Sequence, residues 1–252
     1  MQASAELIVG RGRGSRSVVM RMFAEAPLLL RQTSADDDPD LCVHLVGGAA
    51  GPLGGDRLHT HVEVADDATV VIRSVAASLA QPGSVDEPSR SSVAVDVGER
   101  SVLDWWPEPL VSVRGSRHHL TTEVVLAATA SLRWVDEVCL GRAQEPSGEL
   151  LVRQRIVAAG VPVAAHGLTF GPHDAVIGGT GVHGPARAAI TGLVRGPTAL
   201  PSASQLSDRV RAARFPIDAR TTMWIALGDH HEQLRRVLAQ LGLDRDARFA
   251  GA

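Results

Sequence analysis

Short apolar runs recur along the chain between residue 5 and about residue 195, and turn-forming residues separate them. Within several of these runs, apolar and polar residues alternate, which is typical of β-strands with one buried face. Residues 58–64 and 69–75 show the alternation most clearly. The pattern predicts a mainly β fold with a large antiparallel or mixed β-sheet architecture, either a sandwich or a helix-like stack of strands.

Two short polar segments lie between alternating runs. Residues 65–68 read Ala-Asp-Asp-Ala, and residues 98–101 read Gly-Glu-Arg-Ser. Segments of this length and composition are typical of β-hairpin turns. They predict that consecutive strands pair with each other as a meander.

Helical periodicity is confined to the C-terminal part of the chain. Residues 202–213 carry Leu206 and Val210 at i and i+4, which predicts a short surface helix. A second helix is predicted from Asp229, which forms a start like a capping box with Glu232. Its apolar stripe consists of Leu234, Val237, Leu238 and Leu241, and Gly242 follows as the C-cap. We interpret residues 1–252 as one domain, with a C-terminal α+β subregion at residues 200–245 as the alternative.

Composition excludes several classes of protein. The 252 residues carry 25 basic and 28 acidic side chains, so no overall field attracts nucleic acid or a membrane. All 25 basic residues are arginine, and tyrosine is absent, which removes lysine and phenol catalysts. Two cysteines favour neither a disulfide framework nor a zinc finger. With no long apolar segment and no signal-peptide pattern, we expect a cytoplasmic protein without a membrane span.

Residues 47–58 form a glycine-rich segment that leads directly into an alternating run. It contains Gly47, Gly48, Gly51, Gly54 and Gly55, with Asp56 at the start of the following strand. A phosphate-binding loop would need a Gly-Lys-Ser/Thr sequence, or glycines between a strand and a helix, and neither is present. The segment therefore predicts a tight loop that places one carboxylate, and a plain structural turn is the alternative.

Two groups of residues further along could carry chemistry. His59, His61 and Glu63 share one face of a strand, and imidazole with carboxylate can bind nickel, zinc or copper. The alternatives are a metal-dependent enzyme that uses these three residues and an ordinary solvated strand face. In residues 134–142, Asp136 and Glu137 are adjacent acids in an apolar strand. If the strand is covered on one side, one of them faces inward and needs a partner or water, whereas an edge strand would leave both solvated.

These motifs in this order resemble the urease accessory protein family UreD, also called UreH. The resemblance rests on residues 47–58, on Leu-Asp-Trp-Trp-Pro-Glu-Pro at 103–109, and on the Trp…Leu-Gly-Arg segment that ends at Arg142. It covers roughly residues 5–240. Residues 73–81 depart from the family pattern, because the usual lysine, tyrosine and arginine of that stretch are missing.

The resemblance implies a non-enzymatic protein that joins UreF and the GTPase UreG on the urease apoprotein and helps deliver nickel through an internal, water-filled passage. It implies nickel in transit and no tightly bound cofactor. The residues expected to meet nickel are Asp56, Asp136, His166, His59 and His61. The others expected to line the passage are Ser78 and Glu137, and the expected structural motif comprises Gly47, Gly48, Gly54, Gly55 and Arg142. A pure protein-interaction module is the remaining alternative.

Overall fold

Two β-sheets stacked face to face form the body of the protein, in a computed structural model that describes residues 1–34, 40–171 and 186–249. Sheet A has seven strands and sheet B has eleven. The expectation of a mainly β fold with stacked strands is confirmed. In spatial order, sheet A consists of β14 (Val161–Phe170), β13 (Glu149–Ala158), β11 (Arg117–Leu126), β8 (Ser89–Val97), β5 (Arg57–Val64), β1 (Gln2–Arg11) and β2 (Ser17–Ala24).

Sheet B packs against sheet A, and strands from the C-terminal part of the chain form one end of it. Its spatial order is β16 (Ala203–Leu206), β17 (Val210–Pro216), β18 (Thr221–Gly228), β15 (Ala188–Arg195), β12 (Ser131–Leu140), β9 (Val102–Trp105), β6 (Thr69–Ser74), β4 (Leu41–Gly47) and β3 (Leu28–Gln32). The short strand β10 (Leu110–Ser112) pairs with β12, and β7 (Ser78–Ala80) pairs with β10. A 3-10 turn spans Arg13–Ser15, and helix α1 spans His231–Gln240.

The chain alternates between the sheets in the middle of the molecule, so that it winds as a β-solenoid. Strands β5, β8, β11 and β13 are parallel neighbours in sheet A, and β6, β9 and β12 are parallel neighbours in sheet B. Residues 65–68 and 98–101 therefore link strands of opposite sheets. The predicted hairpins are wrong. The strands on either side of each turn belong to different sheets, so their apolar residues meet in the core and their backbones do not pair.

These connecting turns stack on one another through backbone hydrogen bonds. The Gly98 amide donates to the Val64 carbonyl at 2.8 Å, and the Ala127 amide donates to the Val97 carbonyl at 2.8 Å. The side chain of Asp66 accepts from the Glu99 amide at 2.8 Å. Each turn thus satisfies polar groups of the next one, which explains why polar segments that cannot bury themselves occur at regular places along the chain.

The inward side chains of the two sheets form the main core. Trp105 of β9 and Trp134 of β12 are register partners, and their rings stack with centroids 4.5 Å apart and planes 3° apart. Both are almost fully buried. The neighbouring Trp106 points to the other face of sheet B and lies in a second apolar cluster beneath α1. The adjacent tryptophans thereby tie sheet B to both of the layers that cover it.

The C-terminal part confirms one predicted helix and corrects the other. Residues 202–213 do not form a helix but contribute to β16 and β17, and the two apolar residues behind that prediction lie differently: Leu206 is 75% exposed, whereas Val210 is 2% exposed. Helix α1 buries the predicted stripe. Its C-cap is Leu241, and Gly242, predicted as the C-cap, follows with φ of 90°. The N-cap is His230, without a side-chain cap, and not Asp229. Across the described ranges, no helix has the length and apolarity needed to cross a membrane.

Candidate functional site

Four polar side chains lie between the two sheets, where most neighbours are apolar. Thr122, Gln154 and His166 are register partners on β11, β13 and β14 and therefore point to the same face of sheet A. Asp136 meets them from β12 of sheet B, because the Gln154 Nε2 group donates to its Oδ2 atom at 3.0 Å. We call these four residues the interior polar layer.

The interior polar layer separates two apolar clusters. The main core contains Val124 and Ile156, which follow the layer by two residues on their strands. Val152 and Val138 belong to a smaller cluster on the other side. Burying a polar group without a partner costs free energy. Apolar residues would therefore pack the two sheets at least as well, and packing alone does not explain the polar row.

Asp136 is held by neutral donors and no described cation. The Trp134 Nε1 group donates to Oδ2 at 2.9 Å, and Oδ1 accepts no hydrogen bond from the described residues. Burial raises the pKa of Asp136 to about 6, and the hydrogen bond from Trp134 offsets part of that effect. The carboxyl group thus has one oxygen that accepts no hydrogen bond from the described residues. Its pKa is raised, and a nearby cation would lower that pKa.

His166 is the second unusual member of the layer. Both of its ring nitrogens are buried and have no hydrogen-bond partner among the described residues. Burial lowers its pKa, which favours the neutral imidazole. A neutral imidazole presents a free lone pair, the form in which histidine binds transition metals. The Thr122 hydroxyl is likewise buried without a partner.

Glu137 lies on the opposite face of sheet B, beneath α1. Its Oε1 atom accepts from Trp106 Nε1 at 2.5 Å and from Arg235 Nε at 2.7 Å. Glu108 accepts from Arg235 at 2.9 Å and also pairs with Arg245. We call these five residues the cluster beneath α1. Since β12 lies inside sheet B between β15 and β9, the edge-strand alternative for the adjacent acids is wrong.

Asp56 holds the glycine-rich loop together. Its Oδ2 atom accepts from the Leu53 amide at 2.9 Å, and Oδ1 accepts from the Met1 amino group at 2.8 Å. Gly54 packs against the backbone of Gly83 so closely that a Cβ atom would lie 2.7 Å from the Gly83 nitrogen. Gly55 has φ of 87°, a left-handed conformation that favours glycine. These contacts describe a rigid turn, which needs glycine at 54 and 55 more than at Gly47 and Gly48, where added Cβ atoms meet no backbone closer than 3.5 Å.

Two further residues of the predicted set lie at the surface. Ser78 is exposed in β7, where its amide donates to the Pro109 carbonyl at 3.0 Å. Arg142 is exposed and donates from Nε to Glu145 Oε2 at 2.9 Å. The guanidinium group lowers the pKa of Glu145 to about 2. Arg142 therefore closes the turn after β12 at the surface and has no contact with the interior polar layer among the described residues.

His59, His61 and Glu63 share the outer face of sheet A, as predicted. His59 Nδ1 lies 2.8 Å from Ser92 Oγ, and His61 Nε2 lies 3.2 Å from Asp96 Oδ2. Within the part of the chain that the structure describes, no three histidine, cysteine or acidic residues are grouped to hold a metal ion. The arrangement gives no support to the metal-dependent enzyme considered as an alternative.

The structure adds Gln154 and Thr122 to the residues that sequence reasoning singled out. Gln154 follows Leu150 and Val152 and precedes Ile156 at alternate positions of β13. A single amide side chain among alternating apolar residues could have been recognised in the sequence. Thr122 gave no comparable signal, because threonine is common in strands.

Comparison with known proteins gives a consistent result. The family described as UreD urease accessory protein matches residues 1–249. The urease accessory protein UreD of Parafrankia sp. (strain EAN1pec) is 36% identical over 263 residues, which cover 96% of this chain and 88% of that protein. The protein of the same name from Frankia alni is 34% identical over 274 residues, covering 96% of this chain and 92% of its own.

Proposed function

The chain belongs to the UreD urease accessory protein family, and on this premise we propose that it is a non-enzymatic, cytoplasmic maturation factor that conducts nickel to urease. In this role it acts with UreF and UreG on the urease apoprotein. Nickel is cargo in transit, and the protein holds no tight cofactor. The observation that carries the proposal is the interior polar layer, in which Asp136 and His166 offer free ligand atoms.

The chemistry of the layer suits transient binding. A conduit must bind its ion well enough to admit it and weakly enough to release it. Asp136 offers one free oxygen, and His166 offers a neutral imidazole, which are acceptable ligands for nickel. Two ligands from opposite sheets, without a third acid or histidine grouped with them in the described residues, favour passage over a closed site.

The layer also has the electrostatics that a cation needs. No arginine pairs with Asp136 in the described structure, whereas Glu137, next to it, pairs with Arg235. A free carboxylate in a poorly solvated place attracts a divalent cation more strongly than one in water would. Because the pKa of the Asp136 carboxyl group is about 6, nickel binding releases its proton only below about that pH.

The test is the double variant Asp136→Asn/His166→Gln, co-expressed with urease and the other accessory proteins. We expect the nickel content and activity of the purified urease to fall by about tenfold or more, as is usual when groups that support metal binding are removed. Nickel is measured by mass spectrometry, and binding of the variant to UreF is measured in the same preparations by pull-down.

The matched control is Asp86→Asn/His230→Gln, which makes the same chemical changes at two exposed residues. It should leave urease activation unchanged. Normal activation with the interior variant would contradict the conduit. If UreF binding also remained intact in that case, the pure interaction module would be the better description. Asp56 is unsuitable for this test, because its carboxylate holds the glycine-rich loop.

A further inference from the structure

The outer face of sheet A carries two arginines and a histidine in one row across three adjacent strands. Arg57 of β5 is the register partner of Arg90 of β8, and Arg90 is the register partner of His119 of β11. Both arginines are exposed, and all three residues line a groove of about 800 Å³. Like charges directly opposite each other on neighbouring strands are unfavourable, so this row does not serve the stability of the sheet.

The described structure does not neutralise these charges. Arg57 makes no ion pair or hydrogen bond from its side chain to the described residues, and Arg90 reaches only the Pro88 carbonyl at 3.4 Å. Arg153 follows in the next row, opposite Thr121, and is exposed and also without an acidic partner in the described part. Burial is the main cause that lowers the pKa of His119, Arg90 and Arg153 lower it further, and Glu149 partly opposes them.

Several arginines elsewhere in the molecule pair with acidic residues. Arg73 and Arg133 share Asp104, Arg195 pairs with Asp218, and Arg235 pairs with Glu108 and Glu137. Glu25 also lines the groove as a carboxylate, which accepts from the amide and the hydroxyl of Ser4 at 2.9 Å and 2.8 Å, so the two arginines outnumber one acid. The row is therefore a local excess of positive charge in a chain whose formal net charge is −3.

We infer that the row of Arg57, Arg90 and His119 docks an acidic segment of a partner protein. Guanidinium groups bind carboxylates through two parallel hydrogen bonds, and Ser92 and Thr121 add hydroxyl groups in the same groove. Neighbouring strands are about 4.8 Å apart, so the row spans about 10 Å and accommodates two or three carboxylates. Among the described residues the groove has no Phe, Tyr or Trp for stacking bases, which favours a peptide over a nucleic acid.

This inference does not depend on the proposed function, because the row lies on the opposite face of sheet A from the interior polar layer and requires neither nickel nor urease. The probe is a fluorescein-labelled peptide of ten glutamates, titrated with the purified chain at low and moderate salt and followed by anisotropy. We expect salt-dependent binding that weakens by about tenfold or more in Arg57→Gln/Arg90→Gln, which loses two charge-assisted contacts.

The matched control is Arg13→Gln/Arg209→Gln, which removes the same charge from two other exposed arginines. It should change the affinity by less than about twofold, because charges beyond the Debye length are largely screened. Equal weakening by both double variants, or no binding by the unaltered chain, would overturn the inference. Tighter binding of a ten-nucleotide polythymidine at the same salt concentration would overturn it as well.

A thermal unfolding measurement separates docking from a structural role. Since Arg57 and Arg90 repel each other and lack acidic partners in the described structure, Arg57→Gln/Arg90→Gln should unfold at the same temperature as the unaltered chain or slightly above it. A clearly lower unfolding temperature would mean that the two arginines support the fold, and would contradict the docking role.

Discussion

Asp136 and Glu137 are adjacent in β12 and both lack free access to solvent, yet they belong to opposite layers of the molecule. Asp136 lies in the interior polar layer and meets only neutral donors among the described residues. Glu137 lies in the cluster beneath α1 and pairs with Arg235. The alternation of a strand places neighbours on opposite faces, and both faces of sheet B are covered here.

The two carboxyl groups differ in burial, because Glu137 is 3% exposed and Asp136 is only partly buried, but their partners differ more. A buried acid with a cation is stabilised as a carboxylate and ties elements together. A buried acid with neutral donors keeps a raised pKa and remains available to protons or metal ions. Glu137, which was expected to line the passage, instead contacts Arg235 of α1. Asp136 remains the acid suited to binding a cation.

The largest effect is expected from Glu137→Ala. The substitution leaves Arg235 and the Trp106 indole without their shared acceptor in a buried place. We expect a loss of about 3 kcal/mol or more in the free energy of unfolding, as for other broken buried pairs. Urea denaturation measures it. Asp86→Ala, which removes the fully exposed partner of Arg117, should cause no measurable loss. Equal losses in the two variants would show that the cluster beneath α1 contributes little.

The sequence allowed the strands to be predicted, but not their pairing. Alternation with period two depends on local burial, and β5 and β6 were found close to their predicted bounds at Arg57–Val64 and Thr69–Ser74. A turn between sheets and a hairpin turn flank the same alternation, so local pattern does not distinguish them. The helix predicted at residues 202–213 failed because Leu206 and Val210 lie on opposite sides of a turn within sheet B.

The candidate site was predictable only in part. Asp136 was visible as an acid in an apolar strand, and His166 was identified through the family resemblance. Their meeting with Gln154 depends on the register between β12 and β13, which lie in opposite sheets and are joined by residues 141–148. Side-chain contact between sheets follows from the whole winding of the chain, and no short segment encodes it.

A smaller effect is expected from Asp136→Asn, and it should depend on pH. The folded chain holds the pKa of this carboxyl at about 6, whereas the unfolded chain has the ordinary value of about 3.9. Between these values the folded state binds more protons, so the free energy of unfolding of the unaltered chain falls as pH rises from about 4 to about 6. The Asp136→Asn variant has no carboxyl group at this position, so its free energy of unfolding does not show this fall.

The stability of Asp136→Asn relative to the unaltered chain should therefore increase by up to about 3 kcal/mol between pH 4 and pH 7. Urea denaturation at several pH values gives the difference. Glu63→Gln, at an exposed position of β5, is the control and should change the pH dependence little. A difference that stays constant across this range would show that Asp136 is not a buried acid with a raised pKa.

The smallest changes in stability are expected from substitutions of two buried threonines. The Thr122 hydroxyl has no partner in the described structure, so Thr122→Val removes a desolvation penalty and should stabilise the chain by about 1 kcal/mol. Thr221 donates to Asp218 at 3.0 Å and accepts from Arg195 at 2.7 Å, so Thr221→Val should destabilise it by about 1 kcal/mol or more. Thermal unfolding of the two variants checks the signs. Destabilisation by Thr122→Val as well would contradict the premise that this hydroxyl is buried without a partner.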